Sequence, residues 1–262
     1  MANFAGLPKD WIVTSGQFTR NTFTDFYPAV DPTKSENSLT GKTVVVTGAS
    51  RGLGAYGIAP AFVKAGVKAQ LKKINTSVGT FTLAADISCK DAVTVAWTTI
   101  HTRYPRIDIL VKNAGVESSD SDKTHEQDPD VFFKYFLQRM GRIPFLAAYA
   151  NSKAAIIQYT TAVAASYPST VLAIAVNPGL NDTEIIPASL RQANFNFNEP
   201  ALTGATMVWL VADPGRSFFL SGRVLTVEWD VEELIARKEE ITKQNLLTMS
   251  LHATLGAEQF AR

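Results

Sequence analysis

The 262-residue chain is short of charge, of cysteine and of long apolar runs. Asp, Glu, Lys and Arg make up 19% of it and the formal net charge is +1, against roughly 25% charged residues in an ordinary soluble domain. No global field draws such a chain to nucleic acid or to a lipid surface, so neither is an expected partner. Cys89 is the sole cysteine, which excludes an internal disulfide and fits a reducing compartment. It has no local partner for metal or nucleophile chemistry, and a small buried apolar side chain is the expectation. No apolar run approaches the roughly 18 residues that a membrane-spanning helix needs. Met1–Asp10 lacks the basic start and apolar stretch of a secretory signal. A cytoplasmic protein is expected. His101, His125 and His252 show no metal-ligand spacing, and there are no internal repeats or low-complexity segments.

What is present is apolar material in alternating patterns. Residues 1–40 mix Gly, Pro, Ser, Thr and Asn with no sustained period, and read as an N-terminal arm. Its aromatics, Trp11, Phe18, Phe23, Phe26 and Tyr27, imply that it packs against the rest. Residues 41–245 are expected to form a single domain and 246–262 a tail. Thr43–Thr47 is a β-branched run, the signature of a strand buried on both faces. Strands are also expected at Phe81–Ala85, Ile107–Val111, Val171–Val176 and Arg223–Glu228. Helical spacing covers Tyr56–Ala65, Asp91–Arg103, Val131–Met140, Ala148–Ala165, about Pro200 to Ala212, and Val231–Lys243. Strands alternating with helices give an α/β fold, a Rossmann-like doubly wound parallel sheet covered on both faces.

Between the first strand and the first helix lies Thr47-Gly-Ala-Ser-Arg-Gly-Leu-Gly54. Glycines let a backbone turn tightly and let a pyrophosphate approach, while a helix N-terminus offers N–H groups and the positive end of its dipole. Strand-turn-helix is the context that a dinucleotide fingerprint requires.

These residues resemble the short-chain dehydrogenases/reductases. Thr47-Gly-x3-Gly-x-Gly54 is similar to their cofactor motif, Asn113-Ala-Gly115 to their strand-four motif, Tyr149-x3-Lys153 to their active-site pair, and Asn177-Pro-Gly179 to the turn that faces the nicotinamide. The tail region, with Trp229-Asp230 ahead of Glu233-Leu234, is similar to members from filamentous fungi. The resemblance implies an NAD(P)-dependent oxidoreductase interconverting a small-molecule carbonyl and alcohol. In it Tyr149 is the general acid/base, and Lys153 lowers the phenol's pKa from its usual value of about 10 and bonds the nicotinamide ribose. It also implies cofactor contacts from Gly48, Ser50, Arg51, Gly52, Leu53, Gly54, Asp86, Asn113, Ala114, Gly115, Pro178, Gly179 and Thr183. Asp86 would meet the adenine, or serve as a helix N-cap. The cofactor is NADP(H) or NAD(H): Arg51 mildly favours a 2′-phosphate or is a solvated loop arginine, and Lys72 and Lys73 would meet that phosphate or, the slightly preferred reading, form the solvated end of a clipped helix. No metal is implied.

Two stretches are short for the family, as if internal segments were missing. Asp86 follows Gly54 by only 32 residues, and 33 residues separate Gly115 from Tyr149. The family's substrate-orienting serine, about a dozen residues before the tyrosine, is replaced by Phe136 or Leu137, and no serine lies between Asp122 and Ala150. Ser118, Ser119 and Ser121 stand upstream. An incomplete strand set is therefore expected. A homo-oligomer of the family kind would have to form with one interface helix abbreviated, and a catalytically impaired dinucleotide-binding relative is the alternative. The Asn-rich stretch Leu180–Pro200, with Phe195 and Phe197, is either an apolar pocket wall or a surface loop.

Overall fold

Three consecutive valines, each stiff at χ1 and suited to a pleated backbone, form β1 (Val44–Val46). A computed structural model describes residues 6–67, 81–115, 147–186 and 191–249. Before β1 come helix α1 (Trp11–Ser15) and two single 3₁₀ turns, Pro28–Val30 and Ser35–Asn37. After it, the glycine turn enters a wide π-type turn, Gly54–Ile58, which continues as α2 (Ala59–Lys64) with Pro60 in its first turn. Then follow α3 (Lys90–Arg103), β2 (Ile109–Val111), α4 (Ala147–Ser166), β3 (Ala175–Asn177), α5 (Pro200–Ala212), α6 (Pro214–Ser217), β4 (Val224–Thr226), α7 (Val231–Ala236) and α8 (Lys238–Lys243). No helix among the described residues is long and apolar enough to cross a membrane.

Both pairs of strands among the described residues are parallel. β1 lies beside β2 with Val45 opposite Leu110, and β3 lies beside β4 with Val176 opposite Leu225. Among the described residues these are two separate two-stranded sheets. Asp108 fixes the start of the first pair: its carboxylate accepts the Thr43 N–H at 2.9 Å. That bond, with Arg106 and Lys42 beside it, holds its pKa below the usual carboxylate range.

The buried mass is centred on α5 rather than on a sheet. Leu202, Ala205, Trp209 and Leu210 pack with Tyr27, Val30, Leu220, Leu225 and Leu234, while Val208 faces Leu39, Ile58 and Phe62 on the other side. The N-terminal segment is thus part of both clusters. It is also stitched to the chain's C-terminal third. Trp229 Nε1 donates to the Gly16 carbonyl at 2.9 Å, and the Glu233 carboxylate accepts the Arg20 and Asn21 amides. The Tyr27 hydroxyl accepts the Val231 N–H at 2.8 Å.

Five expectations are corrected. Phe81–Ala85 is exposed and forms no strand, since no neighbouring strand among the described residues offers it a ladder. Val44–Val46 is half-buried rather than buried on both faces, and Val171–Val176 is narrowed to Ala175–Asn177, the stretch that β4 can reach. The single charged helix Val231–Lys243 is broken at Arg237, whose backbone leaves helical values. Cys89 is exposed, because α3, which it precedes, buries none of its residues. The expected helix Val131–Met140, with Phe136, Leu137, Lys72, Lys73, Ser118, Ser119, Ser121, His125 and His252, lies outside the described residues.

Candidate functional site

The glycine turn sits at the C-terminal end of β1, where β2 ends beside it. Gly48 and Gly52 have φ of +66° and +53°, the left-handed region that side chains disfavour. A Cβ on Gly48 would lie 2.7 Å from Ala114 Cα, and one on Gly54 2.2 Å from the Gly48 carbonyl oxygen. These two glycines are required by close backbone approach. At Gly52 the nearest side chain is Thr183, 3.8 Å from a built Cβ, so that glycine's outer side is open. Leu53 packs into the α2 cluster. Ser50 and Arg51 are exposed, and Arg51 pairs with Glu184 at 3.3 Å across from the turn.

Thr47 and Asn113 lock the turn to the end of β2. The Thr47 hydroxyl donates to the Val111 carbonyl at 3.3 Å and accepts the Asn113 and Ala114 N–H groups at 3.0 Å each. The Asn113 amide donates to the Thr47 and Gly48 carbonyls at 3.0 and 3.1 Å. Its side chain is therefore committed to holding the turn. Thr47→Val keeps the branched shape but leaves two amide donors without their acceptor. We expect a loss of about 1–3 kcal/mol in urea unfolding, with Thr47→Ser staying within about 0.5 kcal/mol of the parent. An unchanged midpoint for the valine variant would remove Thr47 from this role.

The other sequence-identified residues fall in two groups. Asp86 stands at the entry to α3, where one carboxylate oxygen accepts the Ser88 N–H at 2.9 Å and the Ser88 hydroxyl at 2.7 Å. Tyr149 and Lys153 both lie in α4, four residues apart and so on one helix face. Lys153 is half-buried beside the fully buried Ser152. Pro178 and Gly179 form the turn after β3. Gly179 has φ +65° and its N–H is accepted by the Asn177 side chain at 3.1 Å. The structure thus gathers the glycine turn and Asn113–Gly115 at the neighbouring ends of β1 and β2, where open parallel sheets bind ligands, with Thr183 beside Gly52. Among the described residues no group of three or more His, Cys, Asp or Glu could hold a metal ion.

Sequence reasoning missed the support under Pro178–Gly179. Glu228, 2% exposed, accepts from Asn198 Nδ2 at 2.6 Å, and burial pushes its carboxyl pKa up. A charged letter inside a strand run reads as a solvated position, so no local signal marks it. Within the stretch Leu180–Pro200, Leu180 and Phe195 are buried together, with Ile12, Ile186 and Phe197 packed against them.

A family model described as short chain dehydrogenase matches residues 42–140. Short chain dehydrogenase mpl6 of Monascus purpureus is 28% identical over 281 aligned positions, which cover 88% of this chain and 94% of the relative. Oxidoreductase UcpA of Salmonella typhimurium is 30% identical over 208 positions, covering 63% of this chain and 79% of the relative. Among solved structures, a 3-ketoacyl-(acyl-carrier-protein) reductase from Brucella melitensis complexed with NADH aligns with TM-score 0.59 at 22% identity, covering 73% of this chain and 98% of that one. A protein from Beutenbergia cavernae with bound NADP aligns with TM-score 0.62 at 22% identity, covering 74% and 98%. Those neighbours share the Rossmann-like α/β fold, and the family model and the curated relatives show that the chain belongs to the short-chain dehydrogenase family.

Proposed function

We propose that the chain is an NAD(P)-dependent oxidoreductase that interconverts a carbonyl and an alcohol on a small-molecule substrate. The observation that carries this reading is the cradle at the end of β1. Two of its glycines are needed for backbone approach, the third is open on its outer side, and the whole is fixed to β2 by Thr47 and Asn113. A pyrophosphate fits such a turn, and its donors are the backbone N–H groups from Ser50 to Gly54 at the helix start. The NADH and NADP of the two structural neighbours support the same ligand class.

A bound nicotinamide would supply hydride to the carbonyl carbon in reduction and accept it in oxidation. Tyr149 acts on the oxygen: its O–H gives the proton as the C=O becomes an alcohol and takes it back in reverse. Lys153, one turn along the same face, stabilises the phenolate and so brings the phenol toward working pH. Pro178, Gly179 and Thr183 border the nicotinamide end, Asn113, Ala114 and Gly115 the ribose side, and Asp86 the adenine. Arg51 favours a 2′-phosphate, in competition with its partner Glu184, and we lean to NADP(H). We assign the cofactor domain to residues 41–245 and place the protein in the cytoplasm.

A second reading is favoured by a specific observation. The alignment with the Monascus purpureus relative runs over 281 positions but uses 88% of this chain, about 231 residues, so about 50 positions stand opposite nothing here. We assign them to the short stretches after Gly54 and after Gly115. On this reading a relative without the substrate-orienting serine binds dinucleotide and turns over little. Titration with NADPH and NADH, followed by absorbance at 340 nm over a panel of aldehydes and ketones, tests both. Turnover supports the oxidoreductase; binding without turnover supports the second reading; no binding overturns both.

A further inference from the structure

Four stretches of chain that are far apart in sequence meet beneath the Pro178–Gly179 turn. Asn198 Nδ2 donates to Glu228 Oε1 at 2.6 Å and to the Pro178 carbonyl at 3.3 Å. Asn181 Nδ2 donates to the same carbonyl at 2.7 Å. The Asn198 N–H reaches the Leu180 carbonyl at 2.7 Å, and the Phe23 N–H reaches the Glu228 carbonyl at 2.9 Å. Glu228, Asn198 and Asn181 are 2%, 4% and 4% exposed, so none of these polar groups has water to fall back on. Gly179 lies directly over them: a Cβ there would sit 1.7 Å from Glu228 Oε1 and 2.2 Å from Asn198 Nδ2. A buried carboxyl costs stability. Its place here is fixed by contact with the Pro178–Gly179 turn.

We propose that Glu228 and Asn198 are positioning residues, a buried carboxyl–amide clamp that sets the Pro178–Gly179 turn and, through it, the nicotinamide ring of a bound dinucleotide. The proposal rests on the dinucleotide reading above. Glu228 touches the turn and not the ligand. Its Oε1 is the acceptor that orients the Asn198 amide, and that amide in turn holds the Pro178 carbonyl. The clamp then acts on the nicotinamide ring itself, and the rest of the cofactor is indifferent to it.

The test compares Glu228→Gln, Glu228→Ala and Asn198→Ala in the full chain, each checked for a cooperative melt. NADPH binding is measured beside ADP-ribose, which lacks the nicotinamide. Glu228→Gln keeps an acceptor oxygen and is expected to bind both within about twofold of the parent. Glu228→Ala and Asn198→Ala are expected to bind NADPH about tenfold more weakly with ADP-ribose unchanged. Equal weakening of the two ligands, or no weakening, overturns the clamp. Amide hydrogen exchange without ligand supplies an independent readout: residues 178–181 should exchange faster in Glu228→Ala and not in Glu228→Gln. If the parent binds neither ligand, the dinucleotide reading fails. The exchange result then decides the clamp: local deprotection sustains its hold on the turn, and its absence removes it.

Discussion

Tyr149→Phe is expected to lower turnover by about 10²- to 10⁴-fold while leaving dinucleotide affinity within about twofold. In the proposed mechanism the phenol has one task, a proton at the substrate oxygen, and phenylalanine keeps the ring while removing it. A positioned general acid or base contributes most when its pKa lies near the working pH, and an unperturbed phenol at about 10 does not. On the proposed mechanism the Tyr149–Lys153 spacing on α4 would supply the correction, because an ammonium one helical turn away favours the phenolate. The variant therefore separates chemistry from binding. Steady-state rates on any carbonyl the parent reduces, together with NADPH titration, give the two numbers. Wild-type turnover in Tyr149→Phe would assign the proton to another group and end this role for Tyr149.

The elements that sequence reasoning located are those written locally. β1 rests on three adjacent valines, the glycine turn on Gly48, Gly52 and Gly54, and α5 on an apolar run opened by Pro200. Each signal is complete within about ten residues. What escaped depends on partners distant in the chain. Val44–Val46 reads as a strand covered on both sides, but whether a second neighbour lies along its other edge is not encoded in the valines. Tyr27 looks like one aromatic in an irregular arm, yet its hydroxyl serves Val231 and its ring lies in the α5 cluster. Phe81–Ala85 has the composition of a strand without a ladder to join. Glu228 is the clearest case: its burial is made possible by the missing side chain of Gly179, 49 residues earlier. Of the candidate site, the glycine turn and the Asn113–Gly115 motif are legible as short motifs, whereas the bonds that tie Asn113 to the turn and the support beneath Pro178–Gly179 join residues distant in the chain and are not.

Gly204 makes the same point about stability, and here two effects of opposite sign compete. Glycine in a helix interior costs about 1 kcal/mol relative to alanine, so propensity alone predicts that Gly204→Ala in α5 stabilises the protein. The packing says otherwise. A Cβ on Gly204 would lie 2.1 Å from the Gly57 carbonyl oxygen and 2.7 Å from Ala61 Cβ, and one on Gly57 would lie 2.0 Å from the Pro200 carbonyl oxygen. Two backbones touch through a pair of glycines, and no flexible side-chain end is available to move aside. Overpacking of this kind costs about 1–3 kcal/mol and sometimes more, enough to outweigh the propensity gain. Gly204→Ala is expected to lower the melting temperature, at about 2–4 °C per kcal/mol for a chain of this size, and Gly204→Val to lower it further. The strain would be released at the softer partner. That partner is the wide turn Gly54–Ile58, which closes the glycine cradle, so NADPH affinity should fall along with the melting temperature. A melting temperature that rises in Gly204→Ala would mean that propensity wins and that the seam between α5 and the cradle's helix is looser than the structure has it.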